Sequence, residues 1–274
     1  MAKGPAFFGD IGKQTKDLLT KDFTTEQKVT INSTTSTGLV LSSTGTKKGE
    51  AALAEVKACY KKNNLQTEWK IDSASKIHTT TTVNDLAPGL KAIIKGTIPD
   101  SQSGKFDIEY VRGLVGLKGS IGLKQSPVAE GSIAIGKDGV LVGGEGAYDT
   151  NKGEVTKYTA GVQYSQKDFS AAAILADKGN KLTASYYHSV NVDTAVGVEV
   201  AHKFDDNANT FTAGTAYRLD PLTLTKMRLD NHGKLAALIQ HEWRPKNTFT
   251  VSSEVDTKAM EKSAKVGLAL NIVP

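Results

Sequence analysis

Among the side chains able to serve as nucleophile, base or ligand, no grouping stands at a spacing that would run a reaction. The five histidines, His78, His188, His202, His232 and His241, lack the spacing of a metal site. His188 and His241 fall in the apolar phase of alternating runs, near the run ends, where a place at a membrane interface suits them. Cys59 is the single cysteine and has no histidine close to it in the chain. It reads as a buried or lumen-facing thiol without chemistry, and a disulfide framework is excluded. No Gly-x-Ser-x-Gly elbow occurs. Gly-Leu-Lys recurs at 89–91, 116–118 and 122–124, but none of the three opens a helix, so a phosphate-cradling loop is excluded. No enzymatic activity, cofactor or metal is expected. What remains is charge: Lys13, Lys16, Lys91, Lys95, Lys118, Lys124, Arg218 and Lys234 can act on anions through their summed field, without a fitted site.

Strands must position these residues. From Lys181 to Phe204, Leu182, Ala184, Tyr186, His188 and Val190 alternate with Lys181, Thr183, Ser185, Tyr187 and Ser189. After Asn191-Val192-Asp193 the rhythm resumes, with Val196, Val198 and Val200 on one phase and Ala195, Gly197, Glu199, Ala201 and Lys203 on the other. Period-two alternation makes a strand with one apolar and one polar face. Strands of about 10 residues tilted by about 40° rise about 25 Å, the height of the apolar band of a membrane barrel.

The same unit recurs to the end of the chain. Ala54, Val56, Ala58 and Tyr60 alternate with Glu55, Lys57, Cys59 and Lys61; Phe106, Ile108 and Tyr110 with Lys105, Asp107 and Glu109; Val266, Leu268, Leu270 and Ile272 close the series. Ile93 breaks the polar phase between Lys91 and Lys95. Turn chemistry separates the runs at 44–49, 99–101, 137–139, 149–153, 177–180, 205–207, 231–233 and 245–247. The longest purely apolar run is 171–176, far short of the roughly 18–20 residues of a spanning helix.

Counting then decides the architecture. About 250 residues divided into strands of about 10 and turns of about 3 give roughly 18–20 strands, too many for an open twisted sheet. One phase is apolar but rich in Ala, Gly and Thr, thin for a sandwich core and adequate against lipid. An all-β transmembrane barrel of about 19 strands is the expectation, with a lumen inside a cylinder about 38 Å across. The alternative is a soluble all-β protein holding a ligand in a large central cavity. Residues 6–20 are expected to form the one helix, with Phe8, Ile11, Thr15 and Leu18 or Leu19 on one face and Lys13, Gln14, Lys16 and Asp17 on the other. Acidic Asp10, Asp17 and Asp22 without arginine argue against a cleavable targeting peptide, and the charged start argues against a secretory signal. The division expected is 1–25 for helix and connector and 26–274 for the barrel. Thirty-four Lys and Arg against 29 Asp and Glu give +5; scattered one or two per strand, these cations make no nucleic-acid site. Trp69, Trp243, Tyr148, Tyr158, Tyr164 and Tyr217 are expected in interfacial girdles.

Particular stretches carry a family resemblance. Gly9-Asp10-Ile11-Gly12-Lys13 followed by Lys16-Asp17-Leu18, the run Pro88-Gly89-Leu90-Lys91 with Pro99-Asp100 and Ser103-Gly104-Lys105, and Tyr217-x-x-Asp220-Pro221-x-Thr223 leading to Arg228-x-Asp230-Asn231 resemble the mitochondrial porin, or voltage-dependent anion channel, family, in the form of a plant member. The resemblance implies a voltage-gated, weakly anion-selective channel passing ATP, ADP, phosphate and ions across the mitochondrial outer membrane. It implies weak nucleotide interaction at Lys13, Lys16, Gly89, Leu90 and Lys91, and the helix as the narrowing of the pore. Lys265, Gly267, Leu270 and Ile272 resemble the family's C-terminal assembly signal. The implied partners are the lipid bilayer, small anionic metabolites and nucleotides, cytosolic kinases such as hexokinase, and other copies of the chain. Three departures stand out. Asp22-Phe23-Thr24-Thr25-Glu26 replaces the glycine-rich hinge of animal members, which argues against a freely swinging helix. Glu68 is in phase with Gln66 and Lys70, so it is expected to face water. Met227 occupies a position where a small residue is usual.

Overall fold

A chain of hairpin-linked strands that is odd in number can close on itself only if its first and last strands run the same way. The computed structural model describes residues 7–100, 102–259 and 264–274, and among them are nineteen strands in one sheet. In chain order they are β1 (Gln27–Thr34), β2 (Leu39–Lys48), β3 (Ala51–Lys62), β4 (Leu65–Asp72), β5 (Ile77–Ala87), β6 (Leu90–Ile98), β7 (Lys105–Arg112), β8 (Val115–Gly122), β9 (Val128–Lys137) and β10 (Val140–Asp149). They continue with β11 (Glu154–Ser165), β12 (Phe169–Ala176), β13 (Lys181–Ser189), β14 (Thr194–Lys203), β15 (Ala208–Asp220), β16 (Thr223–Asp230), β17 (Lys234–Arg244), β18 (Asn247–Asp256) and β19 (Lys265–Ile272). Each pairs antiparallel with the next, and a parallel β1–β19 pairing, Gln27 with Leu268 through Ile31 with Ile272, closes the barrel. The rim where β1 begins is the proximal rim; the β1–β2 turn marks the distal one.

The two phases of the sequence become the two walls. Every ion pair between strands lies on one face, together with the N-terminal segment. The other face leaves Val29, Ile31, Val56, Ile71, Ile94, Ile108, Leu117, Ile133, Val142, Val162, Leu182 and Ile239 exposed. Aromatic side chains on that apolar face collect toward the rims: Tyr164, Tyr217 and Trp243 near the distal ends of their strands, Trp69, Tyr148 and Tyr158 toward the proximal ends. Such belts suit the two interfaces of a bilayer. No described helix is long and apolar enough to cross a membrane.

The helix expected over 6–20 is broken in two. Phe8–Asp10 make a 3-10 turn, Ile11 is extended, Gly12 takes the left-handed conformation (φ 71°), and only Lys13–Thr20 form an α-helix, α1. The expected apolar face survives the break, because Phe8, Ile11, Thr15, Leu18 and Leu19 are all buried. The turn expected at 44–49 is also displaced, since β2 runs on to Lys48 and the corner falls at Gly49 and Glu50. Thr44 pairs with Thr30 on one side and Glu55 on the other. Ladder bonds on both flanks outweigh the turn preference of Gly45 there.

Candidate functional site

The N-terminal segment lies against a stretch of wall from which side chains have been cleared. Its 3-10 turn packs on β9 and β10 and α1 on β13–β16. Seven interstrand steps of about 4.8 Å make roughly 34 Å of wall, whereas residues 8–20, at about 2.0 Å per residue through the 3-10 turn, about 3.3 Å through Ile11 and Gly12 and about 1.5 Å through α1, span at most about 25 Å. A segment shorter than the arc it touches reaches both ends only from the concave side, so it lies inside the lumen.

Small residues shape the groove. Phe8 and Ile11 cluster with Ala134, Leu141 and Ala172, with Ile174 packed alongside. Gly143 and Gly161 face Phe8, Gly197 faces Thr15 and Leu18, and a Cβ on Gly214 would stand 2.6 Å from Leu19 Cδ2. Gly12 permits the left-handed corner, and its N–H donates to Gln163 Oε1 at 2.7 Å. Asp10 accepts from the Phe7 N–H and pairs with Lys13 at 3.2 Å. At the far end of α1, where backbone carbonyls lack partners, Arg228 donates to Leu19 O at 3.0 Å and buried Lys226 to Lys21 O at 3.2 Å. Cations there also complement the helix dipole. Lys226 stands 3.6 Å from Asp22, and Arg228 pairs with Glu254 at 2.9 Å and covers the Phe23 ring at 4.8 Å.

The fixed charge is carried by a wall that overlaps this groove only at β9–β11. Across β3–β11 run Lys57–Glu68 (2.8 Å), Lys70–Glu55 (2.6 Å), Lys95–Asp107 (2.7 Å), Lys105–Glu130 (2.8 Å) and Lys157–Glu145 (2.6 Å), while Glu109 bridges Lys91 and Lys118 at 3.4 and 3.0 Å. Asp107, 2% exposed, also accepts from Ser120 Oγ at 2.6 Å. Where both partners are exposed, as in Lys70–Glu55 and Lys105–Glu130, such pairs contribute little stability. They do cancel most of one another's field, so cation and carboxylate largely offset each other along this wall.

The residues singled out from the sequence therefore fall into separate groups. Lys91, Lys95 and Lys118 point inward but are paired with carboxylates, and Lys13 is paired within its own segment. Lys16, Arg218 and Lys234 have no ion-pair partner among the described residues. Lys124 lies beyond the end of β8, on the turn to β9 rather than on the wall. The Gly89-Leu90-Lys91 triplet is divided by the pleat: Gly89 (φ 82°) makes the β5–β6 corner, Leu90 begins β6 on the outer phase, and only Lys91 faces inward. Lys91 on β6 is far around the wall from β13–β16, where Lys16 is carried. Lys265 and Gly267 share the inner phase of β19, Leu270 and Ile272 the outer one.

Gly143, Gly161, Gly214, Lys226 and Ser252 were not singled out from the sequence, and Arg228 entered only as part of a family motif, without a role. For the three glycines the one signal was glycine or an aliphatic residue standing in the polar phase, as at 171–176; Lys226, Arg228 and Ser252 are polar residues in the polar phase and gave none. Glu68 faces inward against Lys57, in the phase expected, and Cys59 lies on the same inner face near Gln66 Nε2 at 3.5 Å.

Comparison with known proteins agrees over the full length. A sequence model described as eukaryotic porin matches residues 4–267. The chain is 47% identical to the outer plastidial membrane protein porin of Pisum sativum, 46% identical to the mitochondrial outer membrane protein porin of 36 kDa of Solanum tuberosum, and 43% identical to the mitochondrial outer membrane protein porin 3 of Arabidopsis thaliana, in each case across 100% of both chains.

Proposed function

This chain belongs to the eukaryotic porin family, and from that premise we propose that it is a voltage-gated, weakly anion-selective pore for ATP, ADP, phosphate and ions in the mitochondrial outer membrane. The coarser statement, a channel through which small metabolites diffuse, follows from the family itself. The observation that carries it is the two-faced wall: one closed sheet, apolar outward and charged inward, with the N-terminal segment narrowing the lumen. A soluble cavity protein would not leave so many large apolar side chains facing out.

Weak anion preference is supported by the excess of cations in the chain and by Lys16, Arg218 and Lys234. Voltage-dependent closure is drawn from the resemblance to voltage-dependent anion channels. The mitochondrial membrane is preferred because relatives from potato and Arabidopsis carry that name, although the pea relative is named for the plastid. Docking of cytosolic kinases such as hexokinase at a rim, and association of copies within the membrane, belong to the same reading; co-sedimentation with loaded vesicles and in-membrane cross-linking test them.

Reconstitution into a planar bilayer under a salt gradient tests the whole. Large conductance steps whose reversal potential reports anion preference, and which close as voltage rises, are expected. Full solubility without detergent and no steps would end the reading.

A further inference from the structure

Between α1 and β1 the chain crosses the inner face of β16, β18 and β19, and at one place the wall is shaped to receive it. Ser252 on β18 and Gly267 on β19 are direct cross-strand partners, both on the inner phase. Ser252, 3% exposed, accepts the Thr24 N–H at 3.2 Å through its Oγ and donates the same hydroxyl to Thr24 O. Beside it, the Thr24 carbonyl and Thr25 Cα fill the space that a Cβ on Gly267 would need. The crossing continues with Glu26 N–H donating to Thr24 Oγ1 at 3.2 Å and Leu268 N–H donating to Glu26 O at 3.0 Å.

We propose that Ser252 and Gly267 form a seat for Thr24, and that this seat positions α1 across the lumen. The contacts of α1 with β13–β15 are side-chain packing against small residues, which fixes distance but little direction. Hydrogen bonds fix both. The connector has no glycine between Lys21 and Glu26 at which to swing, and Lys226 and Arg228 hold it just upstream. Gly267 thus has work in the finished pore that is separate from the assembly signal in which the sequence places it: its missing side chain is the floor of the seat. Ser252 and Gly267 are positioning residues, acting on permeation only through the segment they hold.

This inference deepens the channel reading, and the test keeps the two apart. Full-length Ser252→Ala is refolded in detergent and treated with trypsin, following release of the segment N-terminal to Lys21 by mass. Trypsin is too large to enter the lumen, so cleavage reports a segment that has left its wall. Release about tenfold faster than in the unaltered chain is expected, the factor that losing about 1.4 kcal/mol of hydrogen bonding gives. Ser253→Ala, on the outer phase of the same strand, should not change the rate, and Ser252→Thr, which keeps a hydroxyl, should restore protection. Gly267→Ala should release the segment as Ser252→Ala does; if it fails to assemble, the serine variants decide. In planar bilayers Ser252→Ala should add open-state current noise. Equal cleavage of Ser252→Ala and the unaltered chain overturns the seat. Absence of conductance in every variant, with the cleavage difference intact, overturns the channel and leaves the seat standing.

Discussion

The side-chain carbonyl of Gln163, in the wall of the pore, accepts the backbone N–H of Gly12 at 2.7 Å. One strand of the barrel is thereby bonded to the corner that separates the 3-10 turn from α1. Gln163→Ala leaves that N–H without its partner, at a cost of about 1–3 kcal/mol. Amide exchange at Gly12 should accelerate at least about fivefold in Gln163→Ala and stay near its original rate in Gln163→Glu, which keeps the acceptor.

Two glycines of the groove should respond differently to one methyl group. At Gly197 a Cβ would meet Leu18 Cδ2 at 3.4 Å, ordinary contact, whereas at Gly214 it would stand 2.6 Å from Leu19 Cδ2 and 2.8 Å from the Met227 carbonyl. Gly214→Ala should push α1 off the wall, costing its docking about 1–3 kcal/mol, and lower single-channel conductance. Gly197→Ala should leave conductance as it was.

Ion pairing divides the inward lysines by their effect on selectivity. Lys16 has no carboxylate partner among the described residues, so Lys16→Glu should move the reversal potential toward zero. Lys95 is bonded to Asp107 at 2.7 Å, and the double change Lys95→Met with Asp107→Asn removes one charge of each sign. Reversal potential should stay unchanged in the double variant. Lys95→Met alone strands a carboxylate that is 2% exposed; it should destabilise the barrel by about 1–3 kcal/mol in denaturant titration.

Glu68 is bonded to Lys57 at 2.8 Å on the inner face. A bilayer-soluble carbodiimide should therefore leave Glu68 unmodified in reconstituted channels, while a water-soluble one should reach it. Peptide mass mapping distinguishes the two outcomes.

Period-two patterning was legible wherever one face met lipid and the other met water. The hairpin read over Lys181–Phe204 forms as β13 and β14 with Lys181 opposite Lys203. The pattern faded where an inner face meets protein instead of water: Ala172 and Ile174 on β12 are apolar because Phe8 and Ile11 lie on them, so 171–176 shows no alternation. On β10 glycine serves both faces, Gly143 clearing room for Phe8 and Gly144 lying on the outside, and again no period results. β5 is obscured by Thr79 to Thr82, since threonine suits either face. Charge type was readable, yet pairing was not. Which lysine meets which carboxylate depends on register between strands that one-dimensional spacing leaves open, as with Lys105 on β7 and Glu130 on β9.

The parallel closure of β1 on β19 has a consequence for biosynthesis. β19 is the last strand to leave the ribosome, and until it arrives β1 has only one neighbour. Every earlier stage therefore presents two raw sheet edges, and folding strand by strand behind the ribosome cannot finish the wall. The wall closes only once the last strand is in place, and until then the first strand is bonded on one edge and open on the other.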